Sequence, residues 1–254
     1  MDGLGLASRL VSQRLDAAAF VTFKERFSAG TETRPISDAF MVAFEDVHPV
    51  RRPAAFKGQR NFAGLWWCAT NQRHVGFESW CERDNLVWMD FDRGVSGISS
   101  QPFRITLPTL LPQRTHVPDF FLRRSDGTAV VVDVRPDARV KEADREVFDA
   151  TSRMCATVGW EYRRLGGLPA VYASNLRWLA GYRHPRCRRG ADSMAALGLL
   201  ESEGPMSVHR LADSVGERTA VLPTLFHLLW TQQVFTELKT RPLSLDSLVW
   251  TERL

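Results

Sequence analysis

A run of valines broken by an aspartate, "AVVVDVR" at residues 129–135, constrains this chain more than any other stretch. Its β-branched residues suit a buried strand, where an ionised carboxylate needs a charge partner, hydrogen bonds or a metal. The preceding "VPDFFLRR" also reads as a strand and "SDGT" as a tight turn, so the two strands form a hairpin. Pro136 ends the second strand. The next segment, "ARVKEADREVFDATSRMCATVG", carries Val140, Val147, Ala150, Met154 and Val158 on one helical stripe, with Gly159 in the C-terminal capping role. "WEYRRL" is then a strand reached through a helix. Strand, crossover helix and strand make a right-handed βαβ unit, which predicts an α/β or α+β fold with a mixed central sheet flanked by helices.

Patterning divides the chain into three regions. Residues 1–75 form an N-terminal extension broken by prolines, with the irregular basic segment "VHPVRRPAAFKGQRN" and the strand "NFAGLWWCAT"; it is expected to pack on the core. Residues 76–184 form that core, opening with "FESWCERDNLVWMDFD", whose apolar residues recur at a helical period, and the extended "VSGISSQPFRITL". "NLRWLAGYRH" reads as a helix before the charged run "RHPRCRRG", taken as the boundary. Residues 185–254 order as three helices, "SMAALGLLES", "MSVHRLADSVG" and "RTAVLPTLFHLLWTQQ", then the extended "VFTELKT" and "PLSLDSLVW", the order of a winged-helix domain.

Composition narrows the function classes. With 254 residues, 44% hydrophobic and 24% charged, the chain suits one sizeable core and a second small one. A net charge of +4 permits a polyanionic partner without requiring one. No stretch approaches the ~20 apolar residues that span a bilayer, and "MDGLGLASRL" lacks the features of a signal peptide, so the expected location is the cytoplasm with no membrane partner. Cys68, Cys81, Cys155 and Cys187 lack zinc-site spacing and read as buried free thiols.

In a strand, residues i and i+2 share a face, so Asp133 and Arg135 project together, and Asp119 can face the same side from the neighbouring strand. Two carboxylates and a cation then converge, as Mg²⁺-dependent phosphodiester hydrolysis requires: hard oxygens hold the ion, and a nearby cation stabilises charge on the phosphate. The arrangement resembles the PD-(D/E)xK nuclease superfamily. The wider stretch "ESWCERDNLVWMDFDRGVSGISSQPF", with "HVPDFF", "VVVDVRPD", "GWEYRRL" and "NLRWLAGYRH", resembles the TnsA family, the endonuclease subunit of Tn7-like heteromeric transposases, over residues 76–184.

That resemblance implies a nuclease that cuts one strand of double-stranded DNA at transposon ends, with Mg²⁺ as cofactor and Mn²⁺ as a substitute. Its implied partners are a DDE-type transposase and an AAA+ ATPase regulator. The family's helix glutamate, preceded three residues earlier by a serine, falls on Glu82 after Ser79; Glu78, one turn earlier, is the competing candidate. The strand aspartate falls on Asp119 in "VPDFF", and the second acidic ligand on Asp133, with the carbonyl of Val134 completing the oxygen shell. Where the family has lysine this chain has Arg135, which keeps the positive charge but has too high a pKa to act as a general base.

Other readings stay open. One is a catalytically silent nuclease-fold scaffold in a transposition complex; another is a stand-alone restriction- or repair-type nuclease. Arg183, Arg186, Arg188 and Arg189 are candidates for DNA-backbone contact or a solvated linker. The segment in the recognition-helix position, "TAVLPTLFHLLWTQQ", has no lysine or arginine and suits core packing or a protein partner better than base reading.

Overall fold

A computed structural model describes residues 18–51, 62–110 and 112–252. The decapeptide read for a signal sequence and residues 52–61 of the basic segment lie outside them. Contacts divide the chain into two compact units. One holds residues up to Leu86 with Gly94–Gly167, the other Val87–Arg93 with Leu168–Leu254. Among the described residues no helix is long and apolar enough to cross a membrane.

In chain order the first unit contains β1 (Phe20–Phe23), β2 (Glu32–Pro35), the short α1 (Ile36–Ala39), β3 (Gly64–Cys68) and β4 (Arg73–Phe77). Helix α2 (Trp80–Phe91), which continues into the second unit, precedes β5 (Val95–Ser100), β6 (Phe103–Leu107), β7 (Arg114–His116), β8 (Phe120–Arg124) and β9 (Ala129–Val134). Helix α3 (Glu142–Thr157) and β10 (Glu161–Leu165) complete it. The fold is mixed α/β.

One sheet runs β10-β9-β8-β5, with β10 parallel to β9 and the other pairs antiparallel. The β8–β9 turn closes because Gly127 takes φ +88°, a conformation that favours glycine, while the Asp126 carboxylate accepts the Thr128 N–H at 2.9 Å. Gly159, at φ +73°, ends α3, and the Trp160 N–H donates back to the Cys155 carbonyl at 3.0 Å. The second sheet, β2-β1-β6-β7, is antiparallel throughout.

The N-terminal region does more than pack on a finished core. Its β1 pairs with β6, and its Phe44 is fully buried within 4.7 to 5.6 Å, centroid to centroid, of Phe23, Phe103, Phe121 and Trp160. Val131 of β9 and Met154 and Cys155 of α3 belong to the same cluster. Of the four cysteines, all free, Cys68 and Cys155 are buried, whereas Cys81 and Cys187 are partly exposed.

The second unit contains α4 (Ala170–Leu179), α5 (Gly190–Glu203), β11 (Met206–Ser207), α6 (Val208–Val215), α7 (Arg218–Trp230) and β12 (Leu248–Val249). The division falls before α4 rather than at the arginine run, because Trp178 and Tyr182 pack on Phe226 of α7 at 4.3 and 4.9 Å. Helix α7 starts on a Glu217 side-chain cap and buries Val221, Leu225, Leu228 and Leu229, which assigns this apolar helix to core packing. The expected strand "VFTELKT" is reduced to a bridge between Phe235 and Trp250. Glu237 turns the chain by accepting the Lys239 and Thr240 N–H groups, and the Asn175 amide serves the carbonyls of Leu238 and Arg241, so side chains replace the sheet partner. Only β12 pairs in the ladder, with β11.

Candidate active site

The hairpin register pairs Phe120 with Val132, and its next step sets Asp119, the residue before β8, beside Asp133. Alternation along β9 gives Ala129, Val131 and Asp133 one face. The first two lie in the apolar core, and Asp133 stands where that face opens into a cleft of about 490 Å³. Glu78, Glu82, Asp119, Asp133, Val134 and Arg135 all line this cleft.

Asp133 is only 2% exposed, and both of its carboxylate oxygens are hydrogen-bonded. His116 Nε2 lies 3.0 and 2.9 Å from its two carboxylate oxygens, and the Tyr162 hydroxyl donates to Oδ2 at 2.8 Å. Burial, then the charge of Asp133, pushes the Tyr162 phenol far up, so it stays a donor. These contacts explain why a strand of valines tolerates the aspartate.

Asp119 Oδ2 accepts the Val134 N–H at 2.7 Å. Even so, its pKa is raised well above the usual carboxylate range, first by burial and then by the charges of Asp133 and Glu82. Val134, expected to offer its carbonyl, is seen here giving its N–H to Asp119.

Glu82 sits in the first turn of α2 and accepts the Glu78 N–H at 2.7 Å and the Ser79 hydroxyl at 2.9 Å, while Ser79 Oγ accepts the Glu82 N–H at 3.2 Å. The serine three residues before the glutamate therefore has a local cause, a reciprocal capping arrangement at the helix start. Burial raises the pKa of Glu82 as well. Glu78 is not one helical turn earlier, as expected, because α2 begins at Trp80. It lies at the bend before the helix, held by Arg51 at 2.9 Å and the Gln101 amide at 2.6 Å.

Arg135 falls one residue past the end of β9 and is exposed. Its guanidinium reaches Asp144 in the first turn of α3 at 3.2 Å. The Lys141 N–H, and then Arg135, hold the Asp144 carboxyl below its ordinary value. The arginine run belongs to the second unit: Arg183 donates to the Ala180 carbonyl and Arg189 pairs with Asp192 at 3.3 Å, whereas Arg186 and Arg188 are exposed without an ion pair among the described residues.

Sequence reasoning missed His116, Tyr162, Arg51 and Arg104, of which all but Tyr162 line the cleft. His116 stands three residues before Asp119 in "HVPD"; Arg104 and Tyr162 reach the site on β6 and β10, through pairings distant in sequence, and Arg51 lies outside the strands.

The donors here are the hard oxygens that Mg²⁺ takes, and Asp119 is raised first by burial and then by the neighbouring carboxylate charges, which a cation would offset. Among the described residues no group of three or more His, Cys, Asp or Glu side chains is arranged to hold a metal. Mg²⁺ commonly uses one or two carboxylates and completes its shell with water, so Asp119 and Asp133 fit it as a pair, with Glu82 occupied by its cap. No known family model matches the chain, and no characterised protein matches it closely enough to identify a relative.

Proposed function

We propose that the chain is a Mg²⁺-dependent DNA endonuclease subunit of a heteromeric transposase, cutting one strand at transposon ends. The observation that carries this reading is the convergence of Glu82, Asp119, Asp133 and Arg135 on one cleft. Asp119 and Asp133 would hold the cation, and the chemistry it supplies when bound is charge neutralisation at a phosphate and activation of a water. Arg51, Arg104 and Arg135 line the same cleft and suit phosphate oxygens. Glu82 fixes the start of α2 and adds to the negative field on Asp119.

The winged-helix reading of the second unit is supported by its order of helix, short strand, two helices and returning strand. Its α7 is too buried and too apolar to read bases, so DNA contact falls to Arg186 and Arg188 or to the partner transposase, an assignment that extends the resemblance. An AAA+ regulator belongs to the same proposal.

One observation favours the silent scaffold instead: Asp133, Glu82 and Arg135 are all satisfied by neighbouring groups without a metal. Strand cleavage at a transposon end, measured with the DDE transposase present and Mg²⁺ varied, separates the two. The endonuclease cuts with wild type and keeps cutting in Arg135→Lys, which preserves the charge. A wild type that never cuts, revived by lysine, supports the scaffold.

A further inference from the structure

The two aspartates commit their acceptor positions unequally. A carboxylate offers about four lone-pair directions, two on each oxygen. On Asp133, among the described residues, Oδ2 receives both Tyr162 and His116, while Oδ1 receives only His116. On Asp119, Oδ2 receives the Val134 N–H. Asp133 therefore has both directions of Oδ2 taken and room left on Oδ1, whereas Asp119 has taken a single donor on Oδ2.

The donors that impose this are held firmly. His116 comes from β7 in the second sheet and Tyr162 from β10 in the first. Both rings pack on Phe148 of α3, at 6.4 and 6.5 Å between centroids. Swinging Asp133 so that both its oxygens face one ion breaks hydrogen bonds from two sheets at once.

We propose that His116 and Tyr162 are positioning residues that confine Asp133 to a single-oxygen contact and thereby make the cleft select Mg²⁺ over Ca²⁺. The proposal rests on reading the cleft as a cation site. Mg²⁺ demands near-octahedral geometry and keeps several waters, which two single oxygens permit. Ca²⁺ takes six to eight oxygens and often both oxygens of a carboxylate, which Tyr162 on Oδ2 opposes.

Calorimetric titration of the full chain with MgCl₂ and with CaCl₂ tests it without reference to turnover. Tyr162→Phe keeps the ring against Phe148 and removes only the hydroxyl. The expected ratio of Mg²⁺ to Ca²⁺ affinity falls about 10-fold in that variant, in line with losing an outer partner of a metal ligand. His116→Ala should lower it similarly, and His116→Gln, which restores an N–H donor, should recover part of the loss. A wild type that prefers Mg²⁺ with the ratio unchanged in Tyr162→Phe and His116→Ala overturns the positioning role and leaves the cation site standing. A wild type that binds neither ion overturns the cation site itself, and the positioning role with it.

Discussion

Asp119→Asn should abolish Mg²⁺-dependent cleavage while raising the thermal stability of the metal-free chain. Loss of activity on the order of 10³-fold is expected, beyond the 10–100-fold typical of removing an outer partner. The stability gain comes from linkage. Burial, Asp133 and Glu82 raise the Asp119 pKa in the folded state, so over the interval above its unfolded value the folded chain binds a proton that the unfolded chain has released. Stability is then greatest below the unfolded carboxylate value, falls as pH rises towards the folded value, and carries the whole penalty above it. Asparagine still accepts the Val134 N–H without the charge, so the variant should lack that slope. Melting curves across pH check it, with each kcal/mol relieved shifting Tm by about 2–4 °C in a chain of this size. Added Mg²⁺ should raise the Tm of wild type and leave that of the variant unmoved. A variant that still cuts, or one that melts lower at neutral pH, contradicts the assignment.

Phe44→Ala is expected to have the largest effect on folding. The ring is fully buried and touches Phe23, Phe103, Phe121 and Trp160, so truncation removes transfer energy and leaves a cavity among rigid rings. Such changes cost about 3–5 kcal/mol. At about 2–4 °C per kcal/mol, Tm should fall by roughly 6–20 °C, measured by calorimetry. A fall of only a degree or two would mean that the N-terminal region is a dispensable extension. The result matters for the cleft as well, because Phe121 and Val131 belong to the same cluster and lie on β8, which follows Asp119, and β9, which carries Asp133.

Local signals made the central hairpin legible. Gly127 and Asp126 mark its turn, Gly159 ends α3, and the valine run leads into a parallel partner reached through a helix. From that register the adjacency of Asp119 and Asp133 could be read directly. What could not be read depends on pairing between distant segments. Nothing near Phe44 announces that β1 will pair with β6, and the nearness of His116 to Asp119 in "HVPD" does not say that β7 will bring its imidazole to Asp133. Helix α2 illustrates a different limit. The Ser79 to Glu82 spacing is both a capping arrangement and the spacing that singled out Glu82 as a ligand, and the sequence does not separate those roles. Arg135 was expected to share the strand face of Asp133, but it lies one residue past the end of β9 and its charge is drawn to Asp144, a partner supplied by the crossover helix.

Mn²⁺ bound to crystals of the chain gives the most direct test of the central claim, because its anomalous scattering locates the ion independently of activity. We expect one site in the cleft, with an oxygen of Asp119 and an oxygen of Asp133 each about 2.0–2.2 Å from the ion, a distance set by hard-oxygen coordination of a small divalent cation. No peak there at saturating Mn²⁺, or a peak held by other residues, would contradict the reading of these two aspartates as the centre of a metal-dependent nuclease.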